Sequence, residues 1–405
     1  MNIVLISRYF PPEIGTAANL FCELAEGLKK KGHTVTVLTG FPWYNIKEVP
    51  KKYSWKIYMK ENIKGVEIIR LKFPIFGPMK LKLAVGHITM PFATCILGLF
   101  MKKPDIVYVY SPPIFLGITG WVIKILKKTK FALGVQDLHP KCYIDQGVLK
   151  NKFLIYILEG IEKFCYRKAD IITVHSSGNK DYIVKEKSIP ETKVEILHNW
   201  LDTDIMTPLP RKNEFSDKYQ LNDKFIVGYA GTLGMSQGCL SIVEAAKILA
   251  GEKGIEFFIV GDGIEKKEMV EKTKEYGLTN IRYLEMQTKE MYPLVVAASD
   301  VGLVTLNKKV KTPVVPSKIL SMMAAARPVL SSMPLEGDAP ELIKQSNCGI
   351  CIEAENPKLL AETILYLYNN PGKCKEYSES GRKYVVAEFS LKKAVENLEK
   401  IFEKA

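Results

Sequence analysis

Short apolar runs of strand character alternate with helix-period patterns along this chain, and the alternation starts twice. In the first half the runs are NIVLI (2–6), TVTVL (34–38), VEIIRL (66–71), DIVYVY (105–110), FALGV (131–135), DIITV (170–174) and VEIL (194–197). After the first run, Leu20, Phe21, Leu24, Ala25 and Leu28 recur at three- and four-residue spacing, and Gly32 closes that helix. The second half repeats the pattern with FIVGYA (225–230), EFFIV (256–260), IRYL (281–284), DVGLVTL (300–306) and PVLSS (328–332). Apolar strands separated by helices are buried on both faces, which is the pattern of parallel sheets built from βαβ units.

A turn- and proline-rich stretch, HNWLDTDIMTPLPRKN (198–213), divides the halves. A chain of 405 residues also exceeds what one core usually holds. The expectation is an α/β protein of two doubly wound, Rossmann-like domains facing a cleft, covering residues 1–200 and 201–388. A C-terminal helix at 389–405 should pack back on the first domain, because Leu391, Ala394, Val395, Leu398 and Ile401 form an apolar stripe that needs a partner. Such sheets bind ligands outside the carboxyl ends of their strands. The balance of 47% apolar and 25% charged residues excludes disordered, collagen-like and coiled-coil classes. The N-terminus, MNIVLISRYF, has no basic lead-in and no small-residue cleavage site, so the expected setting is the cytoplasm.

Net charge is +13, and the excess lies in the first half, where residues 1–200 hold 30 Lys/Arg against 16 Asp/Glu. A basic face on one domain implies an anionic partner, either lipid headgroups or nucleic acid. The segment LAVGHITMPFATCILGLFM (83–101) favours lipid. Its only polar side chains are His87, Thr89 and Thr94, and Lys80, Lys82, Lys102 and Lys103 flank it. It is nearly long enough to span a bilayer. Pro91, the glycines and the return to a strand at Asp105 argue instead for a buried helix with an exposed apolar edge. The expected partner is thus an anionic membrane surface, with no nucleic acid. Eight cysteines in a chain this long indicate no disulfide framework, and Cys348 and Cys351 read as ordinary buried thiols in an apolar run.

Several turns carry chemistry. The first strand runs into SRYFPPEIGTAANL, where Gly15 and Thr16 open a helix and present free backbone N–H groups suited to phosphate or sugar. GYAGTLG (228–234) leads through Met235, Ser236, Gln237 and Gly238 to a second such helix start. VVPSKIL (314–320) puts Pro316, Ser317 and Lys318 at a third, where the proline suits a first turn and the serine can cap. The lysine is a counter-charge for phosphate or a surface residue of the cap. GDG (261–263) lacks the third glycine of a dinucleotide fingerprint, so a dehydrogenase is excluded. Asp202 and Asp204 form a D-x-D in the linker and read as structural rather than as a metal site.

Taken together, SRYFPPEIGTAANLFCELAEGLKKKGHTVTVLTG, VQDLHP, EILHNWLD, YAGTLGMSQG, VGDG and VVPSKILSMMAAARPVL resemble glycosyltransferase family 4 over essentially the whole chain. The resemblance is greatest to enzymes of O-antigen, capsule and colanic-acid synthesis, N-acetylfucosamine transferases among them. It implies the GT-B fold and a retaining, metal-independent transfer with no cofactor. It also implies a nucleotide-sugar donor, UDP-linked, held mainly by the C-terminal domain, and a lipid-linked saccharide acceptor. The residues it assigns to catalysis are Asp137 and His139, following Gln136, which stands where the family has a histidine. To the donor it assigns Gly15, Thr232, Gln237, Gly261, Asp262, Ser317, Lys318 and Glu341. Thr232 and Gln237 replace the family's basic residues, and the family's paired glutamates fall on Pro313 and Ser321. Glu336 or Glu341 could replace one of that pair. Two rivals remain: a sugar-nucleotide 2-epimerase of the same fold, and a sugar-binding module without activity.

Overall fold

The computed structural model describes residues 1–46, 48–145, 147–310 and 315–405, with only the backbone at Lys80. The chain forms two compact units. One comprises Met1–Asn199 together with Leu391–Ala405, and the other Trp200–Ser390.

The first unit is built on an eight-stranded sheet. In chain order its strands are β1 (Asn2–Ile6), β2 (Thr34–Gly40), β3 (Tyr58–Ile63), β4 (Val66–Leu71), β5 (Ile106–Ser111), β6 (Lys130–Val135), β7 (Ile171–Val174) and β8 (Val194–Ile196). They lie in the order β3-β4-β2-β1-β5-β6-β7-β8, all parallel except β3, which pairs antiparallel with β4. β3 escapes the sequence pattern for a physical reason. Its YMKENI alternates exposed and half-buried positions at the sheet edge and carries charges there, as edge strands do.

Helix α1 (Thr16–Lys30) buries Leu20, Phe21, Leu24, Ala25 and Leu28, and its close Gly27 leaves room for Val395 of the C-terminal helix Leu391–Lys404. That helix also sets Phe402 edge-on to Tyr108, with ring centroids 5.7 Å apart, and brings Glu399 within 2.8 Å of His33 Nε2. Helix α2 (Met79–Phe100) crosses helix α3 (Leu116–Lys127), where Gly98 sits against Ile123 and Thr119 Oγ1 donates to the Pro91 carbonyl oxygen at 3.0 Å. α2 is less buried than the sequence suggested. Among the described residues it is the one helix long and apolar enough to cross a membrane, and only 28% of its apolar window is buried. Ile88, Phe92, Ile96 and Leu99 recur every three or four residues on its outward face, two turns beyond the exposed Leu81, with Phe92 71% exposed.

The second unit holds β9 (Phe225–Ala230), β10 (Ile255–Val260), β11 (Ile281–Leu284), β12 (Val301–Thr305), β13 (Val329–Met333) and β14 (Gly349–Glu353). Their order, β11-β10-β9-β12-β13-β14, is the Rossmann order 3-2-1-4-5-6, and every pairing is parallel. β14 is the CGICIE run. Cys348 is fully buried at its start, burial pushes its thiol up to about 11, and all eight cysteines are free. The linker stretch is largely ordered as part of this unit: Met206 is buried, and Arg211 donates to Asp300 and to the carbonyl oxygens of Leu221 and Lys224.

Candidate active site

In the second unit the chain reverses its direction of growth between β9 and β12, so the loops after those strands diverge and leave a crevice at their carboxyl ends. The residues of those loops define what the crevice offers. The loop after β9 is held against the one after β10. Leu233 N donates to the Asp262 carbonyl oxygen at 2.9 Å, and Glu265 N to that of Leu233 at 3.0 Å. A Cβ on Gly261 would collide with the Gly231 carbonyl, which is why this position must be glycine. On the other side, Asn307 Nδ2 donates to the Met235 carbonyl oxygen at 2.9 Å and ties the β9 loop to the end of β12.

Lys318 enters this crevice from the helix Ser317–Ala324. Its ammonium donates to Gln237 Oε1 at 3.1 Å and lies 4.9 Å from the centre of the Tyr229 ring. Tyr229 in turn donates to the Thr232 carbonyl oxygen at 2.7 Å. Gly231, with φ +147°, leaves the space that the lysine stem fills. Burial lowers the Lys318 pKa from the ordinary lysine value, with nearby Cys239 opposing the shift. A half-buried ammonium that meets one neutral hydrogen-bond acceptor among the described residues is an incomplete ion site, and an anion placed there would complete it.

The structure thus brings Thr232, Gln237, Gly261, Asp262, Ser317 and Lys318 to one edge of one sheet. Ser317 does not cap its helix: Pro316 occupies the cap position, no side chain caps there, and Ser317 is exposed in the first turn. Glu341 lies farther along the same edge, in the helix Asp338–Ser346 after β13. It is exposed, and it accepts from Gln345 Nε2 at 2.8 Å. Glu336 is exposed in the loop before that helix. Ser321 donates to the Ser317 carbonyl oxygen at 3.2 Å, and Pro313 lies outside the described residues. Asp202 accepts from the backbone N–H groups of Asp204 and Ile205 at 3.0 and 3.2 Å, an Asx turn. Among the described residues no group of three His, Cys, Asp or Glu side chains could hold a metal ion.

The first unit has its own switch point, between β1 and β5. Gly15 caps α1 there with open space before its α-carbon. Asp137 and His139 follow β6, with Asp137 Oδ2 4.0 Å from His139 Nε2. The Asp137 carboxyl is open on one side, yet the crowding around it raises its pKa, with His175 opposing. Burial holds His139 down to about 4, so it is a neutral imidazole at neutral pH, with its ring edge-on to Tyr143 at 4.6 Å. Raised and lowered pKa values in one crevice are what acid–base chemistry requires.

Sequence reasoning passed over Arg8, Glu13, Trp43 and His87, which pack around the same switch point. Glu13 accepts from the backbone N–H groups of Trp43 and Tyr44 at 3.0 and 2.9 Å, and faces Arg8 at 3.4 Å. The available signal was a charged residue, Arg8, placed directly after the first apolar strand.

Comparison with known proteins identifies the family and the fold. The model of Glycosyltransferase Family 4 matches residues 17–205, and that of Glycosyl transferases group 1 matches residues 211–384. The chain belongs to the family 4 glycosyltransferases. WcaI of Escherichia coli (strain K12), a glycosyl transferase named for colanic acid biosynthesis, is 22% identical over 94% of this chain and 96% of its own. A Campylobacter jejuni relative is 32% identical over 32% of each chain. It is named as an N-acetylgalactosamine-N,N'-diacetylbacillosaminyl-diphospho-undecaprenol 4-alpha-N-acetylgalactosaminyltransferase. Anabaena Alr3699/HepE, solved in complex with UDP, superposes with a TM-score of 0.75 at 14% identity over the whole of both chains. The fold of this family 4 chain is accordingly GT-B, as its sequence motifs implied.

Proposed function

We propose that this glycosyltransferase moves a sugar, with retention of anomeric configuration, from a UDP-linked donor to a lipid-linked glycan in surface polysaccharide biosynthesis. The donor sugar is an N-acetylated deoxyhexose, and the acceptor a polyprenyl-diphosphate-linked saccharide. The observation that carries this reading is Lys318, half-buried at the switch point of the second sheet and, among the described residues, hydrogen-bonded to Gln237 alone. Retention asks the enzyme chiefly to stabilise the departing diphosphate. The Lys318 ammonium supplies that stabilisation without a divalent ion. The names of the relatives support the rest: colanic acid for WcaI, a diphospho-undecaprenol-linked acceptor for the Campylobacter enzyme, and UDP in the HepE complex.

An enzyme acting on lipid-linked glycans would meet its acceptor at the cytoplasmic face of the membrane, and α2 offers a surface for that contact. Its outward apolar face lies in a unit rich in lysine, and Trp55, 97% exposed, stands among Lys51, Lys52 and Lys56.

Calorimetric titration with UDP tests the donor site. Replacing Lys318 by Ala should weaken binding by at least about tenfold, as expected for one charged phosphate contact. The pH dependence has a definite sign. UDP needs the ammonium form, so wild-type affinity should fall as pH rises through a lysine pKa below the usual 10.5, and Lys318→Ala should lack that fall. Equal affinity in a folded Lys318→Ala would put the diphosphate elsewhere.

A further inference from the structure

Four buried side-chain nitrogens around the switch point of the first unit have no hydrogen-bond partner among the described residues: Arg8 Nε, Arg8 Nη2, Trp43 Nε1 and His87 Nε2. They come from three separate segments, namely the end of β1, the loop after β2 and helix α2. The three side chains are neighbours. The Arg8 guanidinium lies 4.5 Å from the centre of the Trp43 ring, Gly86 packs against Trp43, and the Arg8 charge acts on His87. Arg8 itself is 1% exposed, and its remaining nitrogen, Nη1, meets Glu13 only at 3.4–3.5 Å.

An unpaired guanidinium edge is costly to bury, and a fold that keeps one has a use for it. Nε and Nη2 are the two parallel donors of the arginine fork, spaced for the two oxygens of a carboxylate or phosphate. Trp43 Nε1 can only donate, so its complement, like that of the fork, is a group that only accepts. We propose that Arg8, Trp43 and His87 form an oxyanion receptor that binds an anionic substituent of the acceptor saccharide. That substituent is either a uronate carboxylate or a phosphate. The assignment of the oxyanion to the acceptor rests on the transferase reading, whereas the receptor stands on the four orphaned nitrogens. Glu13 fixes the loop after β2 through two backbone N–H groups and so holds Trp43 against the guanidinium.

The full-length protein should be titrated with inorganic phosphate, with glucuronate and with the neutral methyl glucoside, following the His87 ring resonances and thermal stability. Saturable shifts with one or both anions and none with the glucoside are expected. Preference for phosphate or for glucuronate identifies the source of the oxyanion. Arg8→Gln should weaken anion binding by at least about tenfold. Should that variant fail to fold, Trp43→Phe keeps the ring under the guanidinium but removes one donor, and should weaken binding by a smaller factor. The proposal is overturned if neither anion shifts His87, or if folded Arg8→Gln binds both as the wild type does. Transfer assays separate the two readings. Transfer to neutral acceptors alone, with no anion binding, overturns the receptor and keeps the transferase. Anion binding without transfer to any acceptor keeps the receptor and removes its acceptor assignment.

Discussion

Asp137 and Lys318 carry opposite charges, and burial pushes each toward its neutral form, raising the pKa of the carboxyl and lowering that of the amine. Groups poised in this way respond to a substrate charge, which is why they are informative positions for mutation. Asp137→Asn preserves shape and removes the charge. We expect it to lower transfer by about a hundredfold or more, the usual worth of a positioned acid or base, with UDP binding unchanged. His139→Ala should have a milder effect. If Asp137 acts as the carboxylate, as we propose, wild-type activity should fall as pH drops through its raised pKa, and Asp137→Asn should lose that limb. Single-turnover transfer beside UDP titration separates this from a structural role, for which folding or UDP binding would fail instead.

Among the elements, α2 is where sequence and structure differ most usefully. Its apolar length was plain from residues 83–101, but not that it begins at Met79 and leaves Ile88, Phe92 and Ile96 open to solvent. Apolar composition reports the need for burial without saying whether protein or lipid provides it. Vesicle flotation should show binding that rises with anionic lipid and falls with salt. Ile88→Glu with Phe92→Glu, or glutamate at Lys80, Lys82, Lys102 and Lys103, should release the protein without unfolding it, since the apolar pair is exposed. Equal binding to neutral vesicles at high salt would point to a spanning segment, and no binding to a soluble acceptor. Twelve of the strands were legible as apolar runs, because a strand covered on both faces is written in continuous Val, Ile and Leu. β3 and β14 were not. The first is an edge strand with polar positions, and the second was read for its thiols rather than as a strand. The glycine turns and Lys318 could be read from local spacing. The Arg8–Trp43–His87 cluster could not, because its members are far apart in the chain and meet only through the order β4-β2-β1 and the packing of α2.

At the scale of the molecule, the chain builds the first unit, builds the second from Trp200 to Ser390, and then returns through the C-terminal helix to complete the first. That return buries Ala394, Val395, Leu398, Ile401 and Phe402, so the first unit is completed by residues from both ends of the chain. The proposed donor site, with Lys318, lies in the unit enclosed between the two crossings. The carboxylate Asp137 and the proposed oxyanion receptor sit in the unit made by both ends of the chain. The most direct test is a transfer reaction in EDTA, with UDP-linked N-acetylated deoxyhexoses and a polyprenyl-diphosphate-linked saccharide, the anomeric linkage of the product being read by proton NMR. The account predicts an acceptor-dependent glycoside with the anomeric configuration of the donor, formed equally well without added divalent ions. An inverted linkage, an absolute requirement for Mg²⁺ or Mn²⁺, or a 2-epimerised sugar released without acceptor would contradict it.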